Sequence, residues 1–211
     1  KTMSGVFSIR ARNRASLGDP GAELLGFERP RRRQAGAPAQ PGLEELQARP
    51  KKARRFADLY SNMHGGIVAH DEFLGPDNLA LLDGLDFAFV CLDQGAAKRM
   101  IVDRLSANGT SFIEVGLGVL LTGGQMGGIV RVTASTPHTR ALAERHISFA
   151  DNDAAANEYA TNIQIAELNA LNAALAVIQW KKLYGIYRDS GQAVYIGYAV
   201  APGEIANERD A

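Results

Sequence analysis

The spacing of apolar positions changes along the chain, and each change marks an element. Residues 1 to 42 mix Arg, Gly, Pro and Ala with neither a helical nor a strand period, a composition that predicts a disordered or extended arm outside the fold. Ordered structure is expected from Leu43. "RPKKARRFADLYSNMHG" predicts a helix with Pro50 near its first turn and Gly65 or Gly66 beyond its end. "GIVAH" is a short strand, "NLALLDGL" a small helix, and "DFAFVCL" a buried strand, short and apolar, bounded by Asp86 and Asp93. In "GAAKRMIVDRLSANG" the apolar residues Ala97, Met100, Ile101 and Leu105 fall at helical spacing, and Gly109 closes the run.

"TSFIEVGLGVLLTGGQMGGIVRVTAS" predicts two or three strands punctuated by glycines, so an antiparallel portion should extend the sheet. A helix around "TRALAERHI" follows. The longest helical pattern is "NEYATNIQIAELNALNAALAVIQWKKLYG", with Leu168, Leu171, Leu175 and Ile178 at spacings of three and four and Gly185 as the stop. "AVYIGYAV" is expected to close the chain as a strand, and there is no internal repeat at solenoid periods. Strand, helix, strand alternation predicts an α/β fold with a mostly parallel sheet.

With 211 residues the chain suits one domain over residues 43 to 211 beside the basic segment 1 to 42, and 46% hydrophobic residues suffice for a substantial core. The net charge of +0 hides an asymmetry: residues 1 to 55 carry 13 Lys+Arg against 5 Asp+Glu, about +8, and the remainder is about −8. The basic run "ERPRRRQAGAPAQPG" has no interleaved aromatics and no recognised binding motif, which argues against nucleic acid as partner. One cysteine, Cys91, excludes an intrachain disulfide, and four histidines at unrelated spacings supply no paired metal motif. No run of ~18 apolar residues is long enough to span a membrane, and the N-terminal stretch lacks a signal-peptide core, so a cytoplasmic protein is the expectation.

The candidate chemistry lies where "DFAFVCL" ends. A helix that starts at the carboxyl end of a strand aims free N–H groups and partial positive charge at whatever fills the crevice. Asp93 occupies that edge, either as a helix N-cap worth ~1 kcal/mol or as the hard oxygen donor that Mg²⁺ needs beside nucleotide phosphates. Lys51, Lys52, Arg54 and Arg55 crowd the first turn of their helix, where each opposes the macrodipole by ~0.3 to 1 kcal/mol. That placement makes sense if one of them reaches an anion, although solvated surface cations need no such partner.

Other motifs fail on their own terms. Gly116 and Gly118 start like a dinucleotide loop, but Leu121 stands where the third glycine belongs and strand follows rather than helix. They suit a close approach of backbone, strand or ligand. "DNDAAANEY" lacks the glycine and closing Glu of a calcium loop. Cys91, inside an apolar strand, is expected to be a buried inert thiol.

Taken in order, "RPKKARRFADLYSNMH", "NLALLDGLDFAFVCLDQGAAKRMIVDRL", "FIEVGLGVLLTGGQMGGIVRVT" and "NIQIAELNALNAALAVIQWKKLYG" resemble the ThiF-like adenylyltransferases, which include the molybdopterin-synthase adenylyltransferases and ubiquitin-activating enzymes. The resemblance spans about residues 43 to 185 and is closest to bacterial ThiF-like proteins associated with ubiquitin-like or metalloprotease partners. It implies the C-terminal part of a Rossmann-like ThiF domain, with ATP and Mg²⁺ as cofactors. The activity implied is adenylation of the C-terminal carboxylate of a ubiquitin-like or sulfur-carrier protein: the carboxylate attacks the α-phosphate and pyrophosphate leaves. By the same resemblance Asp93 binds Mg²⁺ and phosphates, Lys51 contacts the phosphates, and Lys98 is the basic residue about five positions after Asp93. The late helix is expected near a homodimer interface.

The family's glycine-rich strand, loop and helix, with the ribose-binding acid that follows, are not found in residues 1 to 50. Two expectations follow: a truncated or frame-disrupted version of a longer protein, or a degenerate member with weak or lost adenylation. A non-catalytic dimeric interaction module is the alternative from another class. A nicotinamide-binding oxidoreductase ranks below both, because a complete GxGxxG and a Tyr-x-x-x-Lys pair are lacking.

Overall fold

The computed structural model describes residues 5–10, 21–26, 51–63, 65–92, 94–149 and 165–209. In chain order the elements are β1 (Gly5–Arg10), β2 (Gly21–Gly26), α1 (Lys52–Ser61), β3 (Val68–His70), a 3-10 segment (Pro76–Leu82), β4 (Phe87–Cys91) and α2 (Gly95–Ala107). Then come β5 (Ser111–Thr122), β6 (Gln125–Ser135), α3 (Arg140–Glu144), α4 (Ala166–Leu183), β7 (Ala193–Ala199) and β8 (Glu204–Arg209). All the strands join one sheet in the order β3-β2-β1-β4-β5-β6-β7-β8. The fold is α/β, as the alternation of patterns predicted. Two strands, β1 and β2, fall within the segment the sequence assigned to an arm.

The sheet is mixed rather than mostly parallel. Only β2 with β3 and β4 with β5 pair parallel, while the other neighbours are antiparallel. A parallel pair needs a long crossover, and β4 and β5 have one in α2. The strands β5 and β6 instead meet through Gly123 and Gly124, whose φ values of +59° and +80° form a two-residue turn between paired Thr122 and Gln125. Positive φ at both central positions matches the twist of a hairpin and makes the pair antiparallel. A further strand, β8, follows the expected last strand β7. Its sequence "EIANER" places charge on an outer strand, which discourages edge-to-edge association.

Alternation along β4 and β5 divides the core in two. On one face Ala88, Val90 and Phe112 meet Ile101, Val102 and Leu105 of α2 together with Leu82, Leu85 and Ile147. On the other, Phe87, Ile113, Val132, Ala134 and Ile196 meet Ala176 of α4, with Leu175 and Trp180 packed alongside. Gly109 and Gly185 adopt φ of +69° and +70° just beyond α2 and α4, the stops the sequence predicted. The apolar stripe read along α4 is offset from its buried face. Asn172, Ala176 and Gln179 point inward, whereas Ile178 is exposed. The two amides turn inward because they have carbonyls to meet: Asn172 donates to Gly116 O at 3.1 Å, and Gln179 donates to Ala193 O.

Candidate functional site

Strand register defines the candidate edge. His70 lies beside Leu25, Leu25 beside Val6, Val6 beside Val90, and Val90 beside Glu114, so these residues form one transverse row. Strands β3, β4 and β5 run the same way through that row. β3 and β4 end within one residue of that row, so their carboxyl ends share an edge on which α2 begins, whereas β5 runs on to Thr122.

Lys51 caps α1 by position and is exposed, and its Nζ donates to the carbonyl oxygen of Asp71 at 2.5 Å, immediately beyond β3. Arg54 stands 3.8 Å from the Asp71 carboxylate. The start of α1 is thereby tied to the edge. Lys52 contributes to the electrostatics of Cys91, the last residue of β4, as do Lys98 and Glu114. The starts of α1 and α2 thus stand on the same edge of the sheet, α1 at the end of β3 and α2 at the end of β4, with β2 and β1 between those strands. Asp93, the other anchor of the expected site, lies outside the described residues.

Lys98 lies in the first turn of α2 but turns into the molecule. Its Nζ meets Glu114 Oε1 at 2.5 Å, and the residues are 4% and 2% exposed. A buried ammonium with its charge answered at that distance is a structural ion pair first. Burial raises the Glu114 carboxyl above its ordinary range, opposed by Lys98 and then by Arg131 on β6. Glu114 is the residue sequence reasoning missed. The signal was available in "FIEVG", where strand alternation sets a carboxylate on the same face as Phe112.

Cys91 keeps some exposed surface, yet burial, followed by Glu114, pushes its thiol from 9.0 up to about 12. It carries essentially no thiolate at neutral pH, so it is a poor nucleophile. Asp86, at the opposite end of β4, raises Tyr184 rather than entering this edge, after burial as the main cause. Among the described residues no group of three or more His, Cys, Asp or Glu side chains is placed to hold a metal ion. His146 instead stacks on Tyr195, with ring centroids 4.4 Å apart, and its Nε2 lies 2.9 Å from Glu208 Oε2.

The edge therefore offers two helix starts, an exposed lysine and a buried ion pair, a combination able to attract an anion. No helix among the described residues is long and apolar enough to cross a membrane. Neither a protein-family model nor a curated protein matches this chain.

Proposed function

We propose that the edge at the end of β4 descends from the phosphate and magnesium side of a ThiF-like adenylating site. The parental activity is ATP-dependent adenylation of the C-terminal carboxylate of a ubiquitin-like or sulfur-carrier protein, weak or lost in this chain. The observation that carries the reading is that the lysine-bearing start of α1 and the start of α2 stand on one edge of the sheet, at the carboxyl ends of β3 and β4. Bound Mg²⁺ neutralises phosphate charge in such a reaction, and Asp93 and Lys51 are the residues to hold the metal and the phosphates. Lys51 spends one of three donors on Asp71 O, which leaves capacity for an anion. Lys98 acts at one remove, by neutralising Glu114 beneath the edge.

Calorimetry with ATP and Mg²⁺ tests this. Without a glycine-rich loop, the expected affinity is on the order of 1 mM, about −4 kcal/mol, and Asp93→Asn and Lys51→Met should each weaken it further. Micromolar affinity would contradict the weak-or-lost half of the reading. Binding unchanged in both variants would remove Asp93 and Lys51 from the site. Pyrophosphate exchange with candidate carrier proteins measures whether activity survives.

A second reading, a dimeric interaction module, is favoured by a run of exposed apolar residues at the end of α4 and beyond it: Val177, Ile178, Leu183, Tyr184, Ile186 and Tyr187. Light scattering that reports a dimer, disrupted by Ile178→Asp, supports it. A wild-type monomer at all concentrations rejects it.

A further inference from the structure

On the α2 side of the sheet the charges of a small cluster do not balance among the described residues. Arg131 shares a face with Thr133, and Thr133 pairs with Glu114 across the β5–β6 ladder. Two cations, Lys98 and Arg131, therefore act on the single carboxylate of Glu114, and Lys98 holds it at 2.5 Å. The next acid along the row, Glu208, faces His146. Among the described residues no ion pair or hydrogen bond engages Arg131, and its buried Nε lacks an acceptor, as do the hydroxyls of the fully buried Thr133 and Ser135 on the same strand face. Unmet buried donors in a native structure call for an explanation.

The backbone leaves room for the guanidinium to lie flat. Arg131 pairs with Gly116 on one side and Gly197 on the other. A methyl group on Gly116 would stand 3.0 Å from Nη2 and 3.3 Å from Nε of Arg131, while one on Gly197 would stand 2.6 Å from the Tyr195 hydroxyl. Each neighbouring glycine thus accommodates a polar side chain laid along the sheet. Arg131 is only half-buried, so part of its side chain meets solvent although Nε does not.

We propose that Arg131, on this glycine shelf, is an oxyanion-binding residue that takes the carboxylate or phosphate group of a ligand. A planar guanidinium matches either group with two parallel N–H bonds, here from its two Nη atoms, and an anion there would balance the second cation beside Glu114. The site goes beyond the adenylation reading, which assigns Arg131 no role.

The test is binding to the full chain at constant ionic strength, with inorganic phosphate, AMP and N-acetylglycine titrated separately. Wild type should bind at least one of them about tenfold or more tightly than Arg131→Met, the loss of a charge-assisted pair, with Arg131→Lys between the two. Preference for acetylglycine identifies a carboxylate source, and preference for phosphate or AMP a phosphate source; either result supports the site. Equal binding of all three probes by wild type and Arg131→Met overturns it. If Arg131→Met does not fold, the ¹⁵N resonance of Arg131 Nε in the wild type decides: a saturable shift with any probe supports the proposal, and no shift with all three refutes it.

Discussion

Replacing Lys98 by Met separates a structural from a ligand-binding role. The side chain is 4% exposed and its partner Glu114 2% exposed, with 2.5 Å between Nζ and Oε1. Removing one member of a buried pair costs about 3 to 5 kcal/mol, because the other charge stays buried without its partner. Arg131 still faces Glu114, which places the expected loss near the lower bound, about 3 kcal/mol. At ~2 to 4 °C per kcal/mol for a chain of this size, the melting temperature should fall by roughly 6 to 12 °C.

Urea unfolding followed by circular dichroism should show a lower midpoint at unchanged slope. The loss must also depend on pH. Burial already raises Glu114 above 4.5, and without Lys98 it should rise further. A carboxyl raised in the folded state contributes stability that is present below its unfolded value and lost as pH climbs through the folded value. The deficit of Lys98→Met should therefore be smaller near pH 4 than at pH 7. Pairing it with Glu114→Met should recover stability to within about 1 kcal/mol of wild type. A single-variant cost under about 1 kcal/mol, or a double variant no better than the single, would refute the buried-pair argument. Lost ATP affinity at unchanged stability would return Lys98 to the ligand.

Other expectations follow from burial and partners. Cys91, at about 12 against 9.0 unfolded, should react with iodoacetamide far more slowly than a free thiol at pH 9, and its contribution to stability should disappear as pH rises from 9 to 12; Cys91→Ala should remove that alkaline limb, and fast alkylation of the folded chain would contradict the assignment. Gln179→Leu should cost about 1 to 2 kcal/mol in chemical denaturation by depriving Ala193 O of its donor. The Arg104–Asp83 pair has side chains 39% and 43% exposed, so Asp83→Asn should cost less than about 1 kcal/mol and less still in high salt; a larger loss would mean that Asn108, which also bonds Asp83 at 2.8 Å, couples the contacts into a network.

Local patterns were legible wherever one residue type sufficed to specify a conformation. The short strand at Val68–His70, the buried strand Phe87–Cys91, the helix Gly95–Ala107 and its glycine stop all follow from spacing and turn chemistry. The inward face of α4 was not legible, because Asn172 and Gln179 are polar by themselves and become interior residues only where Gly116 and Ala193 offer carbonyls. Lys98 was read for its charge and its distance from Asp93. Its partner comes from a strand sixteen residues away, a pairing that no local period encodes.

The sequence by itself determined the periods, the helix stops, the hairpin glycines and the lone cysteine, since these depend on backbone sterics and neighbours within a few residues. Tertiary structure decided that the sheet is mixed, that β1 separates β2 from β4, and that Glu114 is the carboxylate paired with Lys98. Strand order and charge pairing depend on which distant segments share a face, and there burial makes each unpaired charge costly enough to select its partner.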